Sequence, residues 1–124
     1  MRWYVDAMNV IGTRPDGWWR DRDGAMRRLV DALERWVVDS GDDVTVVFER
    51  RPSPPISSTL IDIAHAPRPG PDAADREIVR RLGAEPAPAE VRVVTSDRAL
   101  ADQARMAGAA VVGAESFRLE IERA

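Results

Sequence analysis

The sequence predicts an α/β protein of three layers, a mainly parallel central sheet flanked by helices. Two observations carry this expectation. Several short runs are almost continuously apolar and rich in valine, which suits strands covered on both faces. Between them lie segments whose apolar residues recur at helical spacing, so strands and helices alternate along the chain.

The elements follow in order. Strands are expected over residues 3–6, 44–49 ("VTVVFE"), 59–64 ("TLIDIA"), 91–95 ("VRVVT") and 110–112. The longest helical pattern covers 21–39, where Met26, Leu29, Val30, Leu33 and Val37 form one stripe. Ala74, Ile78 and Leu82 do the same over 72–82. Leu100, Ala104 and Ala107 mark a third helix closed by Gly108, and Phe117 and Ile121 belong to a last one that begins near Ala114. The segments "RRPSPP", "APRPGP" and "GAEPAPAE" are short enough to be loops of one domain spanning 1–124, and no internal repeat interrupts the pattern.

Composition narrows the chemistry. Apolar residues make up 44% and charged residues 31%, with a formal net charge of -3, so a soluble protein without a general basic coat is expected. No apolar run has the length of a membrane span, and Met1 leads directly into a strand with no signal-like region; a cytoplasmic protein is the expectation. Cysteine is absent, which excludes disulfides, thiolate metal sites and cysteine nucleophiles. All 18 basic residues are arginine, so a Walker-type phosphate lysine and a Schiff base are excluded, and no nucleotide cofactor is expected. His65 is the one histidine and reads as structural. Carboxylate chemistry remains, with arginine available for phosphates.

In a parallel sheet, ligands bind outside the carboxyl ends of the strands. Asp6 ends the first strand, Glu49 ends the second, and Asp97 follows the strand "VRVVTS" where the next helix opens. Asp72 and Asp75, three apart, share a face of another helix's first turn. Brought together, these acids would repel one another unless a cation neutralised them. Oxygen ligands alone favour Mg²⁺ or Mn²⁺, the ions commonly used for phosphodiester hydrolysis. Each acid also has a plainer role: Asp72 and Asp75 as helix-end charges, Asp97 beside a Ser96 cap, Glu49 as a partner of Arg50 or Arg51. Asp6 is harder to place in that way, because no helix start is visible in "VDAMNV".

Asn9 is either a turn former or a group that holds a phosphate or orients Asp6. Trp18 and Trp19 are either core residues or a stacking surface for unpaired bases. Arg14, Arg20, Arg22, Arg50, Arg51 and Arg68 are solvated surface residues or phosphate contacts.

Taken in order, "VDAMNVIG", "VVFE", "DAADREIVRRL" and "VRVVTSDRALADQARMAGAAVVGAESF" resemble the NYN domain of the YacP-like group, within the PIN-like nuclease superfamily. The resemblance covers nearly the whole chain. It implies a PIN-like fold and a metal-dependent endoribonuclease that hydrolyses RNA phosphodiester bonds with a water activated by Mg²⁺ or Mn²⁺. Carried across by position, Asp6, Asp75 and Asp97 match the family's catalytic and metal-binding acids, Asn9 matches the asparagine that accompanies the first acid, and Asp72 and Glu49 stand as outer metal-binding acids. Arg14, Arg50, Trp18, Asn9 and Ser96 are the expected substrate-binding residues. The implied partner is RNA, free or in association with the ribosome, with no membrane. Ala7 and Met8 depart from the family's glycine and tyrosine, Glu49 stands where aspartate is expected, and the chain is short for the group. Two other readings stay open: a catalytically inactive RNA- or ribosome-binding module of the same fold, and a phosphatase using Asp6 as nucleophile. Met8 and the absence of lysine weaken the second.

Overall fold

A computed structural model describes residues 1–124. Five strands, β1 (Arg2–Asp6), β2 (Asp43–Phe48), β3 (Asp62–His65), β4 (Val91–Val94) and β5 (Ala110–Val112), form one parallel sheet in the order β3-β2-β1-β4-β5. The helices are α1 (Ala7–Ile11), α2 (Arg22–Ser40), α3 (Ala73–Gly83), α4 (Arg98–Met106) and α5 (Ala114–Ile121), with short 3₁₀ turns at Trp18–Arg20 and Pro88–Glu90. No helix is long and apolar enough to cross a membrane.

Alternation along the strands divides the core in two. Trp3, Val5, Val44, Val46 and Phe48 face α1, α2 and α5, whereas Tyr4, Val47, Val91 and Val93 face α3 and α4. In the first layer Trp3 lies edge-on to Trp36 at 5.2 Å and 5.3 Å from Phe117, while its indole N–H donates to Asp42 at 3.0 Å. The fixed right-handed crossover explains the division. The chain steps from β1 to β2 in one direction and from β4 to β5 in the other, so the two connecting helices fall on opposite faces. A crevice therefore opens between β1 and β4 at their carboxyl ends, the switch point at which such sheets bind ligands.

The expected layers are all present, with local differences. The third strand begins at Asp62, not at 59, because the Ser58 hydroxyl accepts the N–H groups of Leu60 (3.0 Å) and Ile61 (3.2 Å). That local turn competes with ladder pairing. The short α1 was not expected; five residues give too little periodicity to be read against a strand. Asp6 therefore does stand at a helix start, in extended conformation, although its side chain caps nothing. The α2 helix begins under the Asp21 carboxylate, which accepts the Gly24 N–H at 3.0 Å, and ends at Gly41 in the left-handed region.

Candidate active site

The sheet's period places the first acid. Asp6 shares the parity of Tyr4, so its side chain leaves β1 on the face covered by α3 and α4. The register Val5↔Val94 brings Thr95 level with Asp6. Thr95 donates its hydroxyl to the Asp6 carboxylate at 3.0 Å and accepts the Asp97 N–H at 3.0 Å. This one hydroxyl ties the end of β1 to the start of α4.

Asp97 is the N-cap of α4, its Oδ1 accepting the Leu100 N–H at 2.9 Å. Ser96 is not that cap. Its hydroxyl accepts the Ala114 N–H at 3.0 Å, and its own N–H donates to the Asn9 side-chain carbonyl at 2.8 Å. Asn9 and Ser96 thus stitch α1, the β4–α4 loop and α5 together. On α3, Asp72 occupies the N-cap position at φ 60° without capping, and Asp75 lies in the first turn. Aspartate tolerates the left-handed region better than most side chains. Here it leaves the Asp72 carboxylate without a capping role.

One carboxylate oxygen from each of Asp72, Asp75 and Asp97 lies within 4.8 Å of the others. Asp6, only 4% exposed, lines the same hollow at greater depth, with Asn9, Met8 and Glu49 also on its wall. The sequence grouped Asp6, Asp75 and Asp97 as the centre, with Asp72 outside. In the folded chain Asp72 belongs to the tight trio and Asp6 adjoins it from below. Burial, reinforced by the Asp75 charge, pushes the Asp6 carboxyl up to about 7. Burial, followed by the charges of Asp97 and Asp72, raises Asp75 to about 6.

Although the chain has 18 arginines, none forms an ion pair with Asp6, Asp72, Asp75 or Asp97. Arg76 borders the hollow and eases the charge on Asp75, but its guanidinium donates to the Pro71 carbonyl at 3.2 Å and pairs with none of the acids. A self-repelling, all-oxygen donor set with no ion-paired arginine suits a hard divalent ion. These acids fit such an ion.

The other expected contacts are dispersed. Arg50 is held in a two-pronged pair with Asp23 at 3.0 and 3.3 Å, not by Glu49. Arg14 pairs with Glu122 at 2.6 Å and, with Trp18, lines a separate cleft of about 400 Å³ beside α2 and α5. Glu49 pairs with Arg22 at 3.6 Å, a partner the sequence did not suggest. His65 lies with Nδ1 3.0 Å from the Ala66 carbonyl, away from the acids. Sequence reading also missed Thr95, whose signal is a hydroxyl residue two places before the acid in "TSD".

An all-parallel sheet carrying clustered acids at its switch point is the arrangement of a nuclease-like NYN domain, and the family model agrees. Residues 3–124 match the family model described as the YacP-like NYN domain, and the chain belongs to that family. Among solved structures it is similar to Rae1 (YacP) from Bacillus subtilis, with 20% identity and a TM-score of 0.79, covering 99% of this chain and 74% of that one. A tryptophan-to-leucine mutant of the same protein aligns with 21% identity and a TM-score of 0.80, over 98% and 75% of the two chains. No curated protein matches the chain.

Proposed function

We propose that this chain is a divalent-metal-dependent endoribonuclease. The observation that carries the reading is the convergence of Asp6, Asp72, Asp75 and Asp97 at the switch point with no arginine ion-paired to any of them, in a chain of the YacP-like NYN family. Asp72, Asp75 and Asp97 would hold Mg²⁺ or Mn²⁺, with Asp6 beneath them. Such an ion, when bound, supplies Lewis acidity toward a phosphodiester and lowers the pKa of a bound water.

The chain's own groups supply orientation. The Thr95 hydroxyl fixes the Asp6 carboxylate, the Leu100 N–H fixes one oxygen of Asp97, and the Asn9–Ser96 bond holds the loop between them. Such supports keep ligating oxygens in place before the substrate arrives. The phosphatase reading has less support: Met8 stands where a second acid would be needed, and no lysine is present to hold a phosphorylated intermediate.

Cleavage of an unstructured RNA with Mg²⁺ or Mn²⁺ tests the proposal. Asp97→Asn keeps a competent helix cap, so the fold should survive. The expected result is a rate lowered by roughly 100-fold or more, because even groups that only support metal ligands cost up to about that much. Full activity in Asp97→Asn, or cleavage unaffected by EDTA, would overturn it. RNA affinity without metal uptake or cleavage would instead favour the inactive binding module.

A further inference from the structure

The acidic crevice needs cationic and aromatic help to hold a polyanion, and one neighbouring segment is built to give it. Gly17, at φ 73°, turns the chain into the 3₁₀ turn Trp18–Arg20. A side chain is strained at that angle, so glycine suits the position. The two indoles meet edge to face at 6.0 Å and 85°. Trp18 is half-buried against the α2 layer, while Trp19 is 56% exposed. Trp18 is thus an anchor and Trp19 a free aromatic face.

Arginines flank both rings. The Arg20 guanidinium carbon lies 6.0 Å from the Trp19 centroid, and that of Arg22 lies 5.2 Å from the Trp18 centroid. A single exposed apolar residue needs no explanation on its own. Here a third contact links the segment to the crevice: Arg22 pairs with Glu49 at 3.6 Å, and Glu49 lines the hollow that contains Asp6 and Asp75. Arg14 and Arg50 are engaged by Glu122 and Asp23, whereas Arg20 forms no ion pair.

We propose that Trp19, with Arg20 against its ring and Arg22 against that of the adjoining Trp18, is a stacking platform for an unpaired base of single-stranded RNA entering the acidic crevice. Glu49 tethers Arg22 at the crevice rim and is a positioning residue, not a metal ligand. This deepens the endoribonuclease reading and rests on it for the crevice's role. Stacking on an indole requires a splayed base, so the platform selects single strands over duplexes.

The test uses the full chain and a fluorescently labelled, unstructured RNA oligonucleotide, with its duplex as control. Binding is measured at low ionic strength with Ca²⁺, and steady-state cleavage with Mg²⁺ or Mn²⁺. Trp19→Ala should weaken single-strand binding and raise KM about tenfold while kcat holds, in line with the loss of one base–aromatic stack. Trp19→Phe should restore most of the loss, and duplex binding should not change. Glu49→Gln should raise KM and spare kcat; a fall in kcat would make Glu49 a metal ligand and remove the tether. Unaltered single-strand affinity in Trp19→Ala, or an equal loss for duplex, would overturn the platform while metal-dependent cleavage by the unsubstituted chain left the endoribonuclease reading standing. Trp19-dependent binding without any cleavage would do the reverse.

Discussion

At Asp6, burial and a neighbouring carboxylate act in the same direction. Because its pKa and that of Asp75 are raised in the folded chain, the metal-free fold binds protons more tightly than the unfolded chain between the ordinary carboxylate value and about 7. The stability these groups contribute is present below that window and is lost as pH rises through it. Asp6→Asn removes the penalty at alkaline pH. In EDTA, thermal denaturation at pH 8 should show this variant more stable than the unsubstituted chain, by at most about 4 kcal/mol. The gain should vanish near pH 4, and an equal gain at both pH values would contradict the electrostatic cause. Asp6 was legible in the sequence because a charged residue ended the apolar run Trp3–Val5. Thr95 was not, since its role depends on the register that sets it level with Asp6.

At the scale of elements, the start of α2 shows how a local signal can be specific. The Asp21 carboxylate caps the helix at the Gly24 N–H, and a Cβ at residue 24 would collide with that carboxylate. Ala normally favours a helix over Gly, but here it would displace the cap. Gly24→Ala should therefore lower the melting temperature of the unsubstituted chain yet raise it in an Asp21→Ala background. Each change is expected to be worth about 1 kcal/mol. Calorimetry of the two single variants and the double variant measures that reversal of sign. The stripe over 21–39 made α2 legible to within about one residue at each end, as helix assignments allow. The five-residue α1 and the shortened β3 were not legible, because one lacks a full apolar period and the other yields to the Ser58 turn.

For the whole molecule, the order β3-β2-β1-β4-β5 does what no single segment can: it brings residues 6, 75 and 97 to one crevice. The alternation of strands and helices announced a parallel sheet. Strand order depends on contacts between distant parts of the chain, and the convergence of the acids could only be supposed. The proposed cation would bind the assembled cluster and not its dispersed ligands, so Mn²⁺ should raise the melting temperature. At one hundred times its dissociation constant the stabilisation should approach about 2.7 kcal/mol. Scanning fluorimetry should show that rise reversed by EDTA, absent in Asp75→Asn, and not reproduced by NaCl of equal ionic strength.

The sheet's margins have their own consequence. Its outer strands span only four and three residues, Asp62–His65 and Ala110–Val112. Such brief borders offer little template for a foreign strand, so sheet-to-sheet aggregation is discouraged at both flanks. Association between copies would have to proceed through side-chain surfaces, leaving the mouth above β1 and β4 clear of a strand-added neighbour.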